Sequence, residues 1–113
     1  MNRTYVDNLN PHSPVRTWEI SPCLREIDPR GEQDQVEAFD SYEEAALEEG
    51  ENHDVYAGPV FWGVYMNMRH SVIALGGVNP TIHVQDFPSF DDALSFVTCI
   101  NGVPQITYRE EDE

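Results

Sequence analysis

The chain has 113 residues, of which 40% are hydrophobic and 11% aromatic, so it is long enough for one domain with one hydrophobic core. It carries 21 Asp and Glu against 6 Arg and no Lys, which gives a formal net charge of −15. Because binding to nucleic acids and anionic membranes depends on cationic side chains, this charge excludes a conventional nucleic-acid binder and disfavours direct lipid binding.

The N-terminus and the two cysteines indicate the compartment. Residues 1–10 show no basic-then-apolar signal pattern, and no apolar run in the chain reaches the roughly 18 to 20 residues of a membrane span. Cys23 and Cys99 lie far apart without a CxxC spacing, which is typical of free, buried thiols in a reducing compartment. We therefore expect a cytoplasmic protein, located in the host cell cytoplasm if the chain is phage-encoded.

The first half of the chain predicts a β-hairpin followed by a helix. Residues 15–20 and 23–27 have strand composition, the Asp-Pro-Arg-Gly at 28–31 favours a turn, and the strand returns over 35–39. A helix is predicted from Tyr42, and Gly50 is a natural stop for it.

The second half repeats this order. Strands are predicted over 60–65 and 71–75, a Gly- and Pro-containing turn over 76–80, a return strand over 81–84 and a helix from Phe90. Additional edge strands are predicted for 3–6 and 106–108, and the acidic tail 109–113 is expected to fray.

An internal repeat supports this organisation. Residues 36–45 and 84–93 follow the same ten-position pattern. It consists of valine, any two residues, phenylalanine, any one residue, serine, an aromatic residue, two acids and alanine. In each copy the serine is at the N-cap position of a predicted helix, and the two acids lie in the first turn of that helix. Negative charges in the first turn suit the positive end of the helix dipole. The prediction is a single α+β domain over 1–113. Two β-β-α units, at about 15–50 and 59–101, form one antiparallel sheet with two helices on one face.

The two predicted helices differ in apolar content. The second has the spacing of a core helix, with apolar residues at Phe90, Ala93, Leu94, Val97 and Ile100. The first has a short apolar segment followed by acids, which is typical of a surface element.

The candidate site is an acidic segment around the first helix. Ten acids and no Lys or Arg occur between residues 32 and 54. They are Glu32, Asp34, Glu37, Asp40, Glu43, Glu44, Glu48, Glu49, Glu51 and Asp54. Alternate strand residues are roughly 6.6 Å apart and helix residues at i and i+4 roughly 6 Å apart, close to the spacing of successive phosphates along a nucleic-acid strand. This run predicts a surface that occupies the basic groove of a nucleic-acid-binding protein.

With its small size, its lack of lysine and an acidic surface helix next to a hairpin, the chain resembles the acidic DNA-mimic proteins of phages and plasmids. This class includes anti-CRISPR and antirestriction inhibitors. The resemblance is physical, covers mainly residues 32–54 and has no diagnostic motif. It implies stoichiometric, non-enzymatic inhibition of a nuclease, CRISPR effector or restriction enzyme, without direct contact to nucleic acid or membrane.

Other interpretations of the sequence stay open. The acids can be a solvated surface next to a linker, or the binding face of an immunity protein against a basic toxin. A small acidic enzyme, a metal-dependent sensor and an oligomerisation module that forms a homodimer are further alternatives. No cofactor or metal is predicted, because the chain has no P-loop or EF-hand pattern and its four histidines lack zinc-site spacing.

Overall fold

A computed structural model describes residues 2–27, 35–69, 81–101 and 108–110. Within these ranges it contains six strands and two helices. In chain order they are β1 (Thr4–Asp7), β2 (Val15–Glu26), β3 (Gln35–Ala38), α1 (Tyr42–Glu51), β4 (Tyr56–Met68), β5 (Thr81–Phe87), α2 (Phe90–Asn101) and β6 (Tyr108–Glu110).

The strands form one antiparallel sheet in the order β5-β4-β2-β1-β6, with β3 also pairing with β2. The two longest strands, β2 and β4, pair at its centre. β1 pairs with residues 17–20 of β2 and β3 with residues 23–26, so both occupy the same edge of β2. The prediction of an α+β chain with an antiparallel sheet and two helices is confirmed.

Several predicted strands differ from the observed ones in extent. The segments 15–20 and 23–27 form one continuous strand, because Pro22 stays in the sheet opposite Trp62 and its carbonyl accepts a hydrogen bond from the Phe39 amide at 2.8 Å. β1 is an interior strand between β2 and β6, so the prediction of an edge strand there is wrong.

Three predicted segments lie outside the described residues, wholly or in part. The turn at 28–31, the strand at 71–75 and the turn at 76–80 are wholly outside them. The predicted edge strand at 106–108 overlaps the described chain only at Tyr108, where β6 begins. The predicted acidic tail begins within β6, which extends to Glu110.

The main core lies between the sheet and α2. Val6, Ile20, Val64, Ala93 and Val97 have no exposed surface, and they pack in one cluster. The stripe predicted for the second helix therefore faces the sheet at its central positions. In a smaller cluster, Ala45 of α1 packs with Leu24 and Phe39.

Trp62 connects both helices to the same face of the sheet. Its ring is 6.2 Å from the Tyr42 ring in a stacked arrangement and 5.3 Å from the Phe90 ring in an edge-on arrangement. Tyr42 and Phe90 are the first residues of α1 and α2, so one tryptophan side chain supports the starts of both helices.

Both helices begin at the predicted serine caps. The Ser41 hydroxyl accepts a hydrogen bond from the Glu44 amide at 3.1 Å, and the Ser89 hydroxyl accepts one from the Asp92 amide at the same distance. Neither helix has the length and apolar composition that a membrane-spanning helix requires, as far as the described residues go.

Removing the Ser41 cap is expected to destabilise the fold by about 1 kcal/mol, because Ser41→Ala leaves the Glu44 amide without its acceptor. Urea unfolding of the wild type and the variant measures the difference. Ser95→Ala is the control, since Ser95 is exposed within α2 and alanine is a better helix former than serine. Equal stability of Ser41→Ala and Ser95→Ala would contradict a capping role.

Candidate functional site

The structure describes eight of the ten predicted acids, since Glu32 and Asp34 lie outside the described residues. The eight divide by exposure into two groups. The exposed group is Asp40, Glu43, Glu44, Glu51 and Asp54, and the half-buried group is Glu37, Glu48 and Glu49.

Helix α1 places three of the exposed acids around one leucine. Glu43 and Glu51 lie one turn before and one turn after Leu47, and Glu44 lies three residues before it. The Leu47 side chain is itself 58% exposed. We call this surface, composed of Glu43, Glu44, Leu47 and Glu51, the acidic α1 face.

Asp40 and Asp54 flank α1 at its two ends. The Asp40 carboxylate is 2.9 Å from the Arg3 guanidinium, and the Arg3 amide also donates to the Asp40 carbonyl. Asp54 lies next to His53, with 3.3 Å between the carboxylate and the imidazole. The charge of Asp40 is thus partly neutralised by Arg3. The neighbour of Asp54, His53, is a cation only when it is protonated.

The half-buried acids take part in contacts within the protein. Glu37 accepts a hydrogen bond from the Tyr56 hydroxyl, and Glu48 accepts one from the Asn52 side chain. The Glu49 carboxylate lies against the backbone of Gly58, where a Cβ atom would collide with it. These three acids are therefore less available to a partner than those of the acidic α1 face.

The glutamates of the acidic α1 face form no ion pair with another described residue. Arg3 contacts Asp40 and Glu19, Arg25 lies over the Phe61 ring, and Arg69 donates to backbone carbonyls near the β1–β2 connection. None of the ion pairs found within the described ranges includes Glu43, Glu44 or Glu51. Their mutual repulsion is a cost to the fold that an opposite charge on a partner would relieve.

Comparisons with known proteins were made for the whole chain. No family model, curated protein or solved structure matches it. The function is therefore inferred from the charges, exposure and contacts of the chain's own residues.

A polar cluster lies on the sheet face opposite the helices. The buried Cys23 thiol is 3.6 Å from the Tyr65 hydroxyl, the Tyr65 ring contacts the His83 ring, and the His83 imidazole is 2.7 Å from the Asp86 carboxylate. Burial raises the pKa of Cys23 and also that of Tyr65, so both groups stay protonated at neutral pH. A thiol in this state is a weak nucleophile.

The sequence did not reveal this cluster, because its members come from three strands and only the register brings them together. The sequence also predicted that both cysteines are buried thiols, which holds for Cys23 and is wrong for Cys99. Cys99 is exposed on α2, on the helix side of the sheet. No group of three or more metal-ligating side chains occurs in the described ranges.

An open cleft of about 380 Å³ lies beside the polar cluster, at the start of β4 and the end of β5. Phe61, Pro59 and Pro88 supply apolar walls, and Arg25 and Asp86 supply one charge of each sign. The Arg25 guanidinium is 5.1 Å from the centre of the Phe61 ring, so this cation is already engaged by an aromatic face.

The contact between Tyr56 and Glu37 predicts an unusual alkaline titration. The hydrogen bond to Glu37 is the main cause that raises the pKa of Tyr56 to about 12 from its ordinary value of 10. Because the folded-state pKa lies above the unfolded one, this contact contributes its full stability below pH 10 and loses it as the pH rises towards 12.

The difference in ultraviolet absorbance between the wild type and Tyr56→Phe, followed from pH 8 to 13, should show a tyrosine that ionises with a midpoint of about 12. The control is Glu37→Gln, which keeps Tyr56 but removes the carboxylate, and in which the midpoint should fall towards 10. A wild-type midpoint near 10 would show that the Tyr56–Glu37 contact does not persist in solution.

Proposed function

We propose that the protein is a non-enzymatic inhibitor that mimics the charge of a nucleic-acid backbone. It blocks a basic nucleic-acid-binding protein, as anti-CRISPR and antirestriction proteins do, with a nuclease, CRISPR effector or restriction enzyme as its partner. The observation that carries the proposal is the acidic α1 face, whose three exposed glutamates form no ion pair with another described residue.

The positions of the carboxylates on α1 support backbone mimicry. Glu44, Glu48 and Glu51 follow one another at i+4 and i+3 steps, which places neighbouring Cβ atoms about 5–6 Å apart along one side of the helix. Glu48, the middle member of this row, is half-buried and accepts a hydrogen bond from Asn52, so Glu44 and Glu51 are the members most accessible to a partner. A rigid row of negative charges at this spacing suits Lys and Arg side chains that otherwise bind successive phosphates.

The overall charge supports the same function through association kinetics. At −15, the chain is attracted over a long range to a basic groove, and this attraction raises the rate of encounter. An inhibitor that competes with nucleic acid for one groove gains from rapid association, because occupancy of the free enzyme decides the outcome.

We also propose that the chain consists of two β-β-α units related by an internal repeat, as the sequence predicts. The order β2-β3-α1 followed by β4-β5-α2 supports this, as do the serine caps at equivalent positions. Ala45 and Ala93, equivalent in the repeat, are both fully buried. In this view one unit retains the core helix and the other has specialised its helix as a binding surface.

The function is tested by competition with nucleic acid. A panel of purified CRISPR effectors and restriction enzymes is mixed with labelled target DNA, and the amount of bound DNA is measured as the protein is added. We expect at least one enzyme to lose its DNA at about one equivalent of protein. The proposal is wrong if no member of the panel is affected, or if far less than one equivalent inactivates an enzyme, which would indicate catalysis.

A further inference from the structure

The acidic α1 face contains an apolar side chain that the packing of the fold does not explain. Helix α1 buries Ala45 completely, yet it leaves the larger Leu47 side chain 58% exposed. The helix therefore turns a small residue towards the sheet and a large apolar one towards solvent. Among the large hydrophobic residues of the described ranges, Leu47 has the most exposed side chain.

Helix α2 shows the ordinary arrangement for comparison. Phe90, Ala93 and Val97 face the sheet and are buried, and the exposed apolar residue Ile100 lies near the end of the helix. In α1, by contrast, Leu47 lies in the middle of the helix. It has glutamates one turn away on both sides.

We propose that Leu47 is the apolar anchor of a protein interface whose rim is formed by Glu43, Glu44 and Glu51. The partner surface is an apolar patch surrounded by Arg or Lys side chains, and this proposal rests on the function proposed above. An apolar centre with a polar, solvent-accessible rim is the usual organisation of a specific protein interface.

Charge complementarity decides between the possible occupants of this face. A second copy of the chain would bring two sets of glutamates together, and an anionic membrane would repel them. A basic protein surface matches the rim, and only an apolar patch at its centre matches Leu47. Charge then supplies attraction to basic surfaces in general, and Leu47 selects among them, because its contribution does not depend on charge.

Two synthetic peptides of equal charge test this anchor. Both carry arginines on each side of a central position, which is tryptophan in one and serine in the other. Their dissociation constants are measured by fluorescence anisotropy with the wild type, Leu47→Ser and Ile100→Ser. The last is the matched control, since Ile100 is also an exposed apolar residue on a helix, 44% exposed.

The wild type should bind the tryptophan peptide roughly tenfold more tightly than the serine peptide, which corresponds to about 1.4 kcal/mol. Leu47→Ser should remove this preference and still bind the serine peptide as the wild type does, whereas Ile100→Ser should retain the preference. Equal binding of both peptides by the wild type overturns the proposal, as does a preference that survives in Leu47→Ser or is lost equally in Ile100→Ser.

Sedimentation of the wild type and Leu47→Ser tests whether a second copy of the chain occupies the acidic α1 face. A monomer in both cases is expected, and a wild-type dimer that Leu47→Ser dissociates would overturn the proposal in favour of a second copy. These results are independent of the competition assay with DNA. If the peptides show no preference but an effector still loses its DNA, the anchor fails and the proposed inhibition stands.

Discussion

Reversing the charge of Glu43 and Glu44 should weaken the complex with an inhibited effector by about thirtyfold or more, equivalent to roughly 2 kcal/mol. Exposed ion pairs contribute up to about 1 kcal/mol each, and a lysine replaces each attraction with a repulsion. The measurement is the dissociation constant of Glu43→Lys/Glu44→Lys, obtained by isothermal titration with the effector that the competition assay identifies.

The chain supplies a matched control for this change in its second helix. Asp91 and Asp92 are exposed and occupy the first turn of α2, just as Glu43 and Glu44 occupy the first turn of α1. Asp91→Lys/Asp92→Lys therefore alters the net charge and the helix-dipole interaction to the same extent. We expect this control to bind the effector less than about threefold more weakly, because it changes only the net charge of the protein. Equal losses of affinity in the two double variants would show that binding depends on the net charge alone and not on the acidic α1 face.

Replacing Trp62 with alanine should lower the free energy of unfolding by about 3–5 kcal/mol, the usual cost of removing a buried aromatic side chain. The loss is at the upper end of that range if both helices depend on the tryptophan, since its ring contacts Tyr42 of α1 and Phe90 of α2. Because small domains are stable by only about 5–15 kcal/mol, this loss is a large share of the free energy of unfolding.

Urea unfolding followed by circular dichroism measures this effect, with Trp62→Phe as the control that retains an aromatic ring. The phenylalanine variant should lose clearly less stability than the alanine variant. A loss below about 1 kcal/mol for Trp62→Ala would contradict the position of Trp62 in the core.

The parts of the fold that depend on local sequence could be predicted. Ser41 and Ser89 specify the helix starts through hydrogen bonds to amides three residues later, and such contacts are readable from spacing alone. The stripe at Phe90, Ala93 and Val97 identified the core helix for the same reason. The order of the predicted strands and helices likewise indicated the α+β class.

The parts that depend on tertiary contacts could not be predicted. Pro22 reads as a strand break, yet it is accommodated in the middle of β2. The edge position expected for 3–6 was wrong because β6, from the far end of the chain, pairs along β1.

The same limit applies to the candidate site. Glu37 and Glu48 look like their acidic neighbours in sequence, and only the positions of Tyr56 and Asn52 show that they are engaged internally. The exposure of Leu47 among the glutamates could not be predicted, because a leucine in a short helix usually packs inward. The structure thus distinguishes five exposed acids among the eight that it describes, and it places the exposed Leu47 on the same helix as three of them.

The salt dependence of the complex tests the central claim most directly. The dissociation constant with the inhibited effector is measured over a series of salt concentrations for the wild type, Glu43→Gln/Glu44→Gln and Asp91→Asn/Asp92→Asn. Binding through the acidic α1 face predicts that affinity falls steeply with salt, that the slope is shallower for the α1 variant, and that it is unchanged for the α2 variant. Affinity that is independent of salt, or a slope that the α1 variant leaves unaltered, would contradict it.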